Sequence, residues 1–274
     1  MFFHKLLPLS LFVLAACESR QPATQTTATA TPDTLAYAMR TYEARSKACA
    51  QPDSLCAVAS FEYPEFTGDA FRALNDSLRA DVITMAEPEG EEALRAKTLE
   101  DAAQNFTADY DRYVSEASDS LPVAETWRLE IRTQVLRQTP RLVCLAHAWY
   151  LNSGGAHPNS ATRFVNHDRA TGRRLTLDAL FKPGYEKTLN ALAEKHFRQV
   201  EKLKFDESLK GKYFFENDRF ALNDNFTLTP TSLKFLYNPY EIKSYAQGIT
   251  VVEIPLSELE GLINEQRTIN NGIH

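Results

Sequence analysis

Cysteine and glycine are scarce, with 4 Cys and 10 Gly among 274 residues. Such low counts exclude a disulfide-stapled miniprotein, a collagen-like repeat and a glycine-rich low-complexity chain. Basic clusters are also missing: 30 Lys+Arg are outnumbered by 36 Asp+Glu, giving a net charge of −6. Proteins that neutralise phosphate backbones carry the opposite balance, so nucleic acid is not an expected partner. Past the N-terminus the longest apolar run is Leu142 to Leu151, well short of the roughly 20 residues that cross a bilayer as a helix. Neither a Gly-x-Ser-x-Gly elbow nor a His-Glu-x-x-His helix occurs, which removes two common hydrolase signatures. What remains is ordinary globular material: 43% hydrophobic and 11% aromatic residues, in a chain long enough for one large domain or two small ones.

The N-terminus is an address. Lys5 precedes an apolar run from Leu6 to Ala16, broken by Pro8 and Ser10, and Leu14-Ala15-Ala16-Cys17 closes it. This is similar to a bacterial lipoprotein signal, which implies removal of residues 1–16 and lipidation of the Cys17 thiol. Several acyl chains on one residue anchor stably where a single chain does not. The expected location is the cell envelope, periplasm-facing or surface-exposed, with membrane contact through that lipid only. Residues 17–33 are rich in Thr, Gln, Ala, Ser and Pro and hold no large apolar side chain. Such a segment cannot offset its ordering entropy by burial and reads as a disordered tether.

Export permits disulfides. Cys49 and Cys56 enclose the turn-rich stretch 50–55 between two segments that read as strands, Thr41 to Ala48 and Ala57 to Tyr63. Pairing them closes a short loop worth roughly 2.5 kcal/mol in the chain-entropy model. A metal site is the rival reading, but the spacing lacks a second Cys/His pair. Cys144 is left inside the Leu142 to Leu151 run, where a free Cys behaves as a small buried hydrophobe.

Period divides the rest. Phe71, Leu74, Leu78, Val82 and Met85 repeat at helical spacing, and Leu99, Ala103, Phe106, Tyr110 and Tyr113 form the stripe of a second helix. Trp127, Leu129, Ile131, Thr133 and Val135 then alternate with polar residues, as in a strand with one wet face. Leu142 to Leu151 is apolar on both faces and predicts a central strand; Ser153-Gly154-Gly155-Ala156 turns the chain back as Arg163 to His167. A third helix is predicted from Leu189, Leu192, His196, Val200 and Leu203, starting near Pro183. Short strands follow at Phe226 to Thr229, Leu233 to Tyr237 and Ile249 to Ile254, then a helix from Ser257 to Ile263. That order suits an α+β fold of antiparallel sheets with helices packed on one face, in two subdomains, better than alternating βαβ units.

Several strings then carry a resemblance: Ser153-Gly154-Gly155-Ala156-His157-Pro158, Thr171-Gly172, Leu175 to Phe181, Asn238-Pro239-Tyr240-Glu241-Ile242, Tyr245-Ala246-Gln247-Gly248 and Val252-Glu253-Ile254-Pro255. Over roughly residues 40 to 264 the chain resembles the extracellular region of RsiV-type anti-sigma factors and the region preceding the catalytic domain of PdaC-type peptidoglycan deacetylases. The resemblance implies a PdaC-like N-terminal subdomain at 34–150, an RsiV-like C-terminal subdomain at 151–265 and a tail at 266–274. Some RsiV-type proteins bind lysozyme, so the implied partner is a lysozyme-like protein or a peptidoglycan fragment. A lipid anchor here stands where those proteins carry a transmembrane helix and a sigma-binding segment, which leaves an anti-sigma role no route to the cytoplasm. The Thr-Phe-Asp-Asp-type metal motif of the deacetylases is missing, so the expected activity is binding without catalysis or cofactor.

Most of the chemistry-bearing residues also have bland roles. His147, His157 and His167 recur every ten residues; three imidazoles suit zinc, but the spacing follows hairpin length and no metal site is expected. Asn166-His167-Asp168 supports the alternative reading, a peptidoglycan-modifying hydrolase or deacetylase, and Glu91-Glu92 and Glu100-Asp101 read as solvated helix faces. For binding, Tyr237, Tyr240 and Tyr245 flank a Pro-stiffened loop and offer flat apolar faces with polar tips. His157 and Asn159 join them from the Gly-Gly turn. Thr34 and Ser54 lie in Asp-Thr-Leu and Asp-Ser-Leu tripeptides resembling the O-glycan acceptor of exported Bacteroidetes proteins, while Asn75, Asn105 and Asn225 fit the N-glycan sequon. Replacing the lipid-bearing residue, Cys17→Ser, is expected to move the protein from the membrane to the soluble fraction of a fractionated cell and to remove the acyl mass from its N-terminal peptide.

Overall fold

A computed structural model describes residues 35–50, 55–87, 96–117 and 126–264. Cys17, the leader and tether, Thr34, Ser54, Glu91-Glu92 and the tail at 266–274 lie outside those residues. The first sheet begins with an antiparallel pair, β1 (Tyr37–Arg45) and β2 (Ala57–Phe66). A disulfide joins Cys49 to Cys56 across their connection, with Cα atoms 5.1 Å apart. Two helices follow, α1 (Arg72–Ala86) and α2 (Leu99–Glu116). The second starts at a capping box in which Thr98 and Asp101 satisfy each other's backbone N–H groups.

The chain re-enters the sheet as β3 (Trp127–Gln138), which lies parallel to β2. The expectation of wholly antiparallel sheets is corrected here, within an α+β fold that otherwise holds. The intervening helices form a crossover that returns the chain to the end where β2 began, and only such a long connection permits a parallel pair. β4 (Leu142–Asn152) and β5 (Asn159–Asp168) complete the order β1-β2-β3-β4-β5, each antiparallel to its predecessor. A division at 150/151 therefore runs through the β4–β5 hairpin, and the first sheet continues to Asp168.

Both helices pack on one face of this sheet, where Leu74, Leu78 and Val82 meet Phe61, Ile131 and Leu145 without exposure to solvent. The opposite face is covered at one end by the second subdomain. That unit contains α3 (Leu177–Leu180), α4 (Glu186–Val200), α5 (Leu256–Leu259) and an antiparallel sheet of β6 (Phe226–Leu228), β7 (Ser232–Tyr237) and β8 (Thr250–Pro255). Leu142 and Cys144 of β4 enter this second core while Val143 and Leu145 enter the first. The two-faced apolarity of that strand reflects two cores sharing one strand.

The α4 stripe differs from the expected one. Its buried residues are Leu189, Ala193 and Phe197, whereas Val200 is 49% exposed and His196 faces Glu258 at 3.2 Å. Spacing of four along the helix puts the small Ala193 where the sheet approaches and leaves Phe197 to fill the space beyond it.

β5 is an edge strand, and its outward backbone groups are met by asparagine amides. Asn225 Oδ1 accepts from Phe164 N–H at 2.7 Å and its Nδ2 donates to Thr162 O at 2.8 Å. Asn238 Oδ1 accepts from Thr162 N–H at 2.7 Å. In return Asn166 Nδ2 donates to Phe226 O at 2.8 Å. Asn75 plays the same part at the end of β2, bonding both N–H and C=O of Phe66 at 2.9 Å. The amides of two N-glycan sequons are thus committed to backbone pairing.

The turn after β5 presses on α1. Gly172 has φ +69°, and a Cβ there would overlap the Ala73 carbonyl and lie 2.8 Å from Leu74 N. Gly172→Ala is expected to cost about 2–4 kcal/mol, read as a Tm lowered by roughly 5–15 °C for a domain of this size.

Candidate functional site

Two loops far apart in sequence meet at the exposed end of the molecule where the subdomains join. The hairpin turn between β4 and β5 carries His157, and the loop after β7 carries Tyr240 and Tyr245. The imidazole stacks on the Tyr245 ring with centroids 4.4 Å apart at 21°, and on Tyr240 at 6.1 Å and 19°. The tyrosine rings are 5.4 Å from each other. His157 Nδ1 donates to Pro158 O at 2.9 Å, which leaves Nε2 to accept from the Tyr240 hydroxyl at 3.1 Å. Tyr240 is 53% and Tyr245 37% exposed, so the rings face water while their mutual positions are set.

Buried neighbours hold the loop. Tyr240 itself has φ +67°, a left-handed conformation that side chains disfavour. It is held there from both sides. Upstream, Asn238 is bonded to β5, and the next residue after Tyr240, Glu241, closes the turn by accepting from Asn238 N–H at 2.8 Å and from Asn223 at 2.6 Å. Downstream, Ile242 is buried and Lys243 Nζ donates to Glu201 at 2.7 Å. Burial raises the Glu201 carboxyl, but the bonds from Lys243, Thr250 and Tyr213 outweigh it and leave the group below its ordinary range. A strained residue fixed by surrounding structure is a mark of a built site.

Of the five residues singled out for binding, His157, Tyr240 and Tyr245 come together. Tyr237 is corrected: it is 1% exposed, and its hydroxyl donates to Ala221 O at 2.7 Å inside the second core. Strand parity accounts for this, because Tyr237 shares a face with Leu233 and Phe235. Asn159 begins β5 opposite Leu151 and is exposed.

Next to the rings the uncovered face of the first sheet forms a groove of about 300 Å³. Two rows across β3, β4 and β5 make its floor, Glu130–Tyr150–Ser160 and Arg132–Ala148–Thr162. Asn238, Pro239 and Ile249 make its wall.

Residues 51–160 match the family model described as Deacetylase PdaC, and residues 178–257 match the one described as Protein of unknown function (DUF3298). The chain carries a PdaC-like/DUF3298 module. Two solved structures share its fold. A DUF3298 family member from Bacteroides fragilis superposes with a TM-score of 0.68 at 20% identity, over 87% of this chain and 98% of that one. A DUF3298 family protein from Pseudomonas aeruginosa gives 0.64 at 21% identity, over 86% and 97%. Comparison with curated proteins finds no match.

The remaining histidines of the module serve its interior. His167 Nδ1 faces Gly172 O and Nε2 faces Asp81 Oδ2, both at 2.8 Å, so both ring nitrogens are engaged inside the fold. Asp81 Oδ1 accepts from Arg174 Nε at 3.0 Å. Burial raises the Asp81 carboxyl, yet His167 and Arg174 hold it below its ordinary value. His147 bonds Thr133 through Nδ1 at 2.8 Å, while its buried Nε2 stops 4.0 Å from Asp81 Oδ2. Among the described residues no group of three or more His, Cys, Asp and Glu has the geometry to hold a metal ion. Asn166, His167 and Asp168 are each spent on internal bonds, and His167 has no exposed surface to offer a substrate. Asp81 and Arg174 escaped the sequence reading. An acid three residues past Leu78, on an otherwise apolar helix face, is the signal in the sequence that marks Asp81.

Burial holds His147 down to about 4, below its ordinary 6.5. The unfolded chain therefore takes up a proton that the folded chain refuses. Stability is expected to be complete above pH 6.5 and to fall as pH drops from there towards 4, by up to roughly 3 kcal/mol. Thermal melts across that window check it, and His147→Gln should flatten the profile.

Proposed function

We propose that this protein is a non-catalytic recognition module of the bacterial cell envelope, tethered by a lipid on Cys17, with His157, Tyr240 and Tyr245 as its contact surface. The matched families suggest a cell-envelope related, exported module. A disulfide at Cys49–Cys56 fits an oxidising compartment. Among the described residues no helix is long and apolar enough to cross a membrane, in keeping with attachment from outside the fold.

The observation that carries the reading is the exposed stack of three rings, two of them on a strained, internally braced loop. A core aromatic has no need of such bracing, and a free one loses affinity to ordering. Rings with polar tips held in place before binding are the composition and the pre-organisation of a recognition hot spot. The partner is a peptidoglycan fragment or a lysozyme-like protein; the groove beside the rings favours the first, and the resemblance to RsiV-type proteins favours the second.

Calorimetric titration of the mature protein with soluble muropeptides, and separately with lysozyme, tests this. Saturable binding without released acetyl groups or cleaved sugar is expected. Tyr240→Gly removes the ring at a position whose backbone suits glycine, so binding should weaken at least about tenfold with Tm unchanged or raised. Product formation would overturn the reading.

A further inference from the structure

We infer that the groove on the outer face of β3, β4 and β5 is a subsite for N-acetylated amino-sugar glycan, continuous with the ring stack; this rests on the recognition-module reading above. The groove exists because the second subdomain covers only part of that face. Over Leu142 and Cys144 the sheets pack together; further along β4, Ala148 and Tyr150 lie outside the shared core and form the floor.

Its chemistry selects a ligand class. Glu130 bonds Arg128 at 2.9 Å and Arg132 at 3.3 Å, so the acid is neutralised within the sheet and Arg132 keeps most of its guanidinium exposed. Beside this pair stand the Tyr150 and Ser160 hydroxyls and the apolar surfaces of Ala148, Pro239 and Ile249. Donors and acceptors interleaved with small apolar planes match a sugar ring, whose edges carry hydroxyls and amides and whose faces carry C–H groups. A purely apolar ligand would strand the Glu130–Arg132 pair without water. A polyanion would find too few free cations.

An extended peptide is excluded by the edge. Recognition by strand addition needs a row of unpaired N–H and C=O groups. The β5 edge next to the groove is already filled by Asn225 and Asn238. A ligand must be read from the face, through side chains. The volume, about 300 Å³, is at the lower end for small-molecule sites and suits a short saccharide segment. Continuity with the stack lengthens the surface, since Pro239 of the wall precedes Tyr240 and Ser160 of the floor lies three residues beyond His157. Rings there can carry the next sugar.

The experiment titrates the mature protein with the tetramer and dimer of N-acetylglucosamine, with a glucose tetramer as control and lysozyme in parallel. The readout is the heat of binding. The expected result is saturable binding of both amino-sugar oligomers and none of the glucose tetramer. Ala148→Phe, an exposed position whose filling blocks the floor, should weaken both at least tenfold at unchanged Tm; Tyr240→Gly should weaken the tetramer more than the dimer. Wild-type affinity in Ala148→Phe, or equal binding of the glucose tetramer, would overturn the subsite. Lysozyme binding without any glycan binding would overturn it too, while leaving the recognition module standing; silence from every probe would remove both.

Discussion

The edge of β5 is the constraint on which the arrangement depends. An edge strand presents unpaired peptide groups that must be satisfied by water, by another chain or by the protein itself. Here side-chain amides do it. A carboxamide has the same donor and acceptor as a peptide unit, so Asn225 and Asn238 extend the ladder without a further strand. Because both residues belong to the second subdomain, satisfying the edge also sets where that subdomain sits. Loss of this seam would expose the β5 backbone and free the loop that carries Tyr240.

The same seam connects the fold to the ring stack. Asn238 anchors the start of the tyrosine loop, and Lys243 with Glu201 anchors its end. Between them Tyr240 is kept in a conformation it would not choose alone. The rings meet His157 only because the β4–β5 hairpin, itself part of the first sheet, reaches across to the second. Ring stack and subdomain joint are therefore one construction, and the groove is the part of the sheet that the joint leaves open.

Charge is handled differently inside and out. Among the described ion pairs most lie on exposed side chains, where each contributes little. Two lie in the interior: Lys243 with Glu201, and Asp81, which meets His167 and Arg174 beneath α1. Removing one member of such a group strands the others without water, so the cluster specifies how α1 seats on the sheet more than it adds to stability. His147, neutral beside it, makes the seat sensitive to acid.

Local order was legible in the sequence. The stripes at Leu74, Leu78 and Val82 and at Leu99, Ala103 and Tyr110 identified both helices, alternation identified β3, and double-sided apolarity identified β4 as central, because periodicity depends only on neighbours along the chain. The strings from Ser153 to Pro158 and from Asn238 to Ile242 pointed to the module. What tertiary structure decided are the relations between distant segments: β3 parallel to β2, Asn225 as a surrogate peptide, and His157 against Tyr240 across 83 positions. No short-range pattern encodes these. They follow from which edges and faces remain unsatisfied once the elements have formed, and that is settled only when the chain closes on itself.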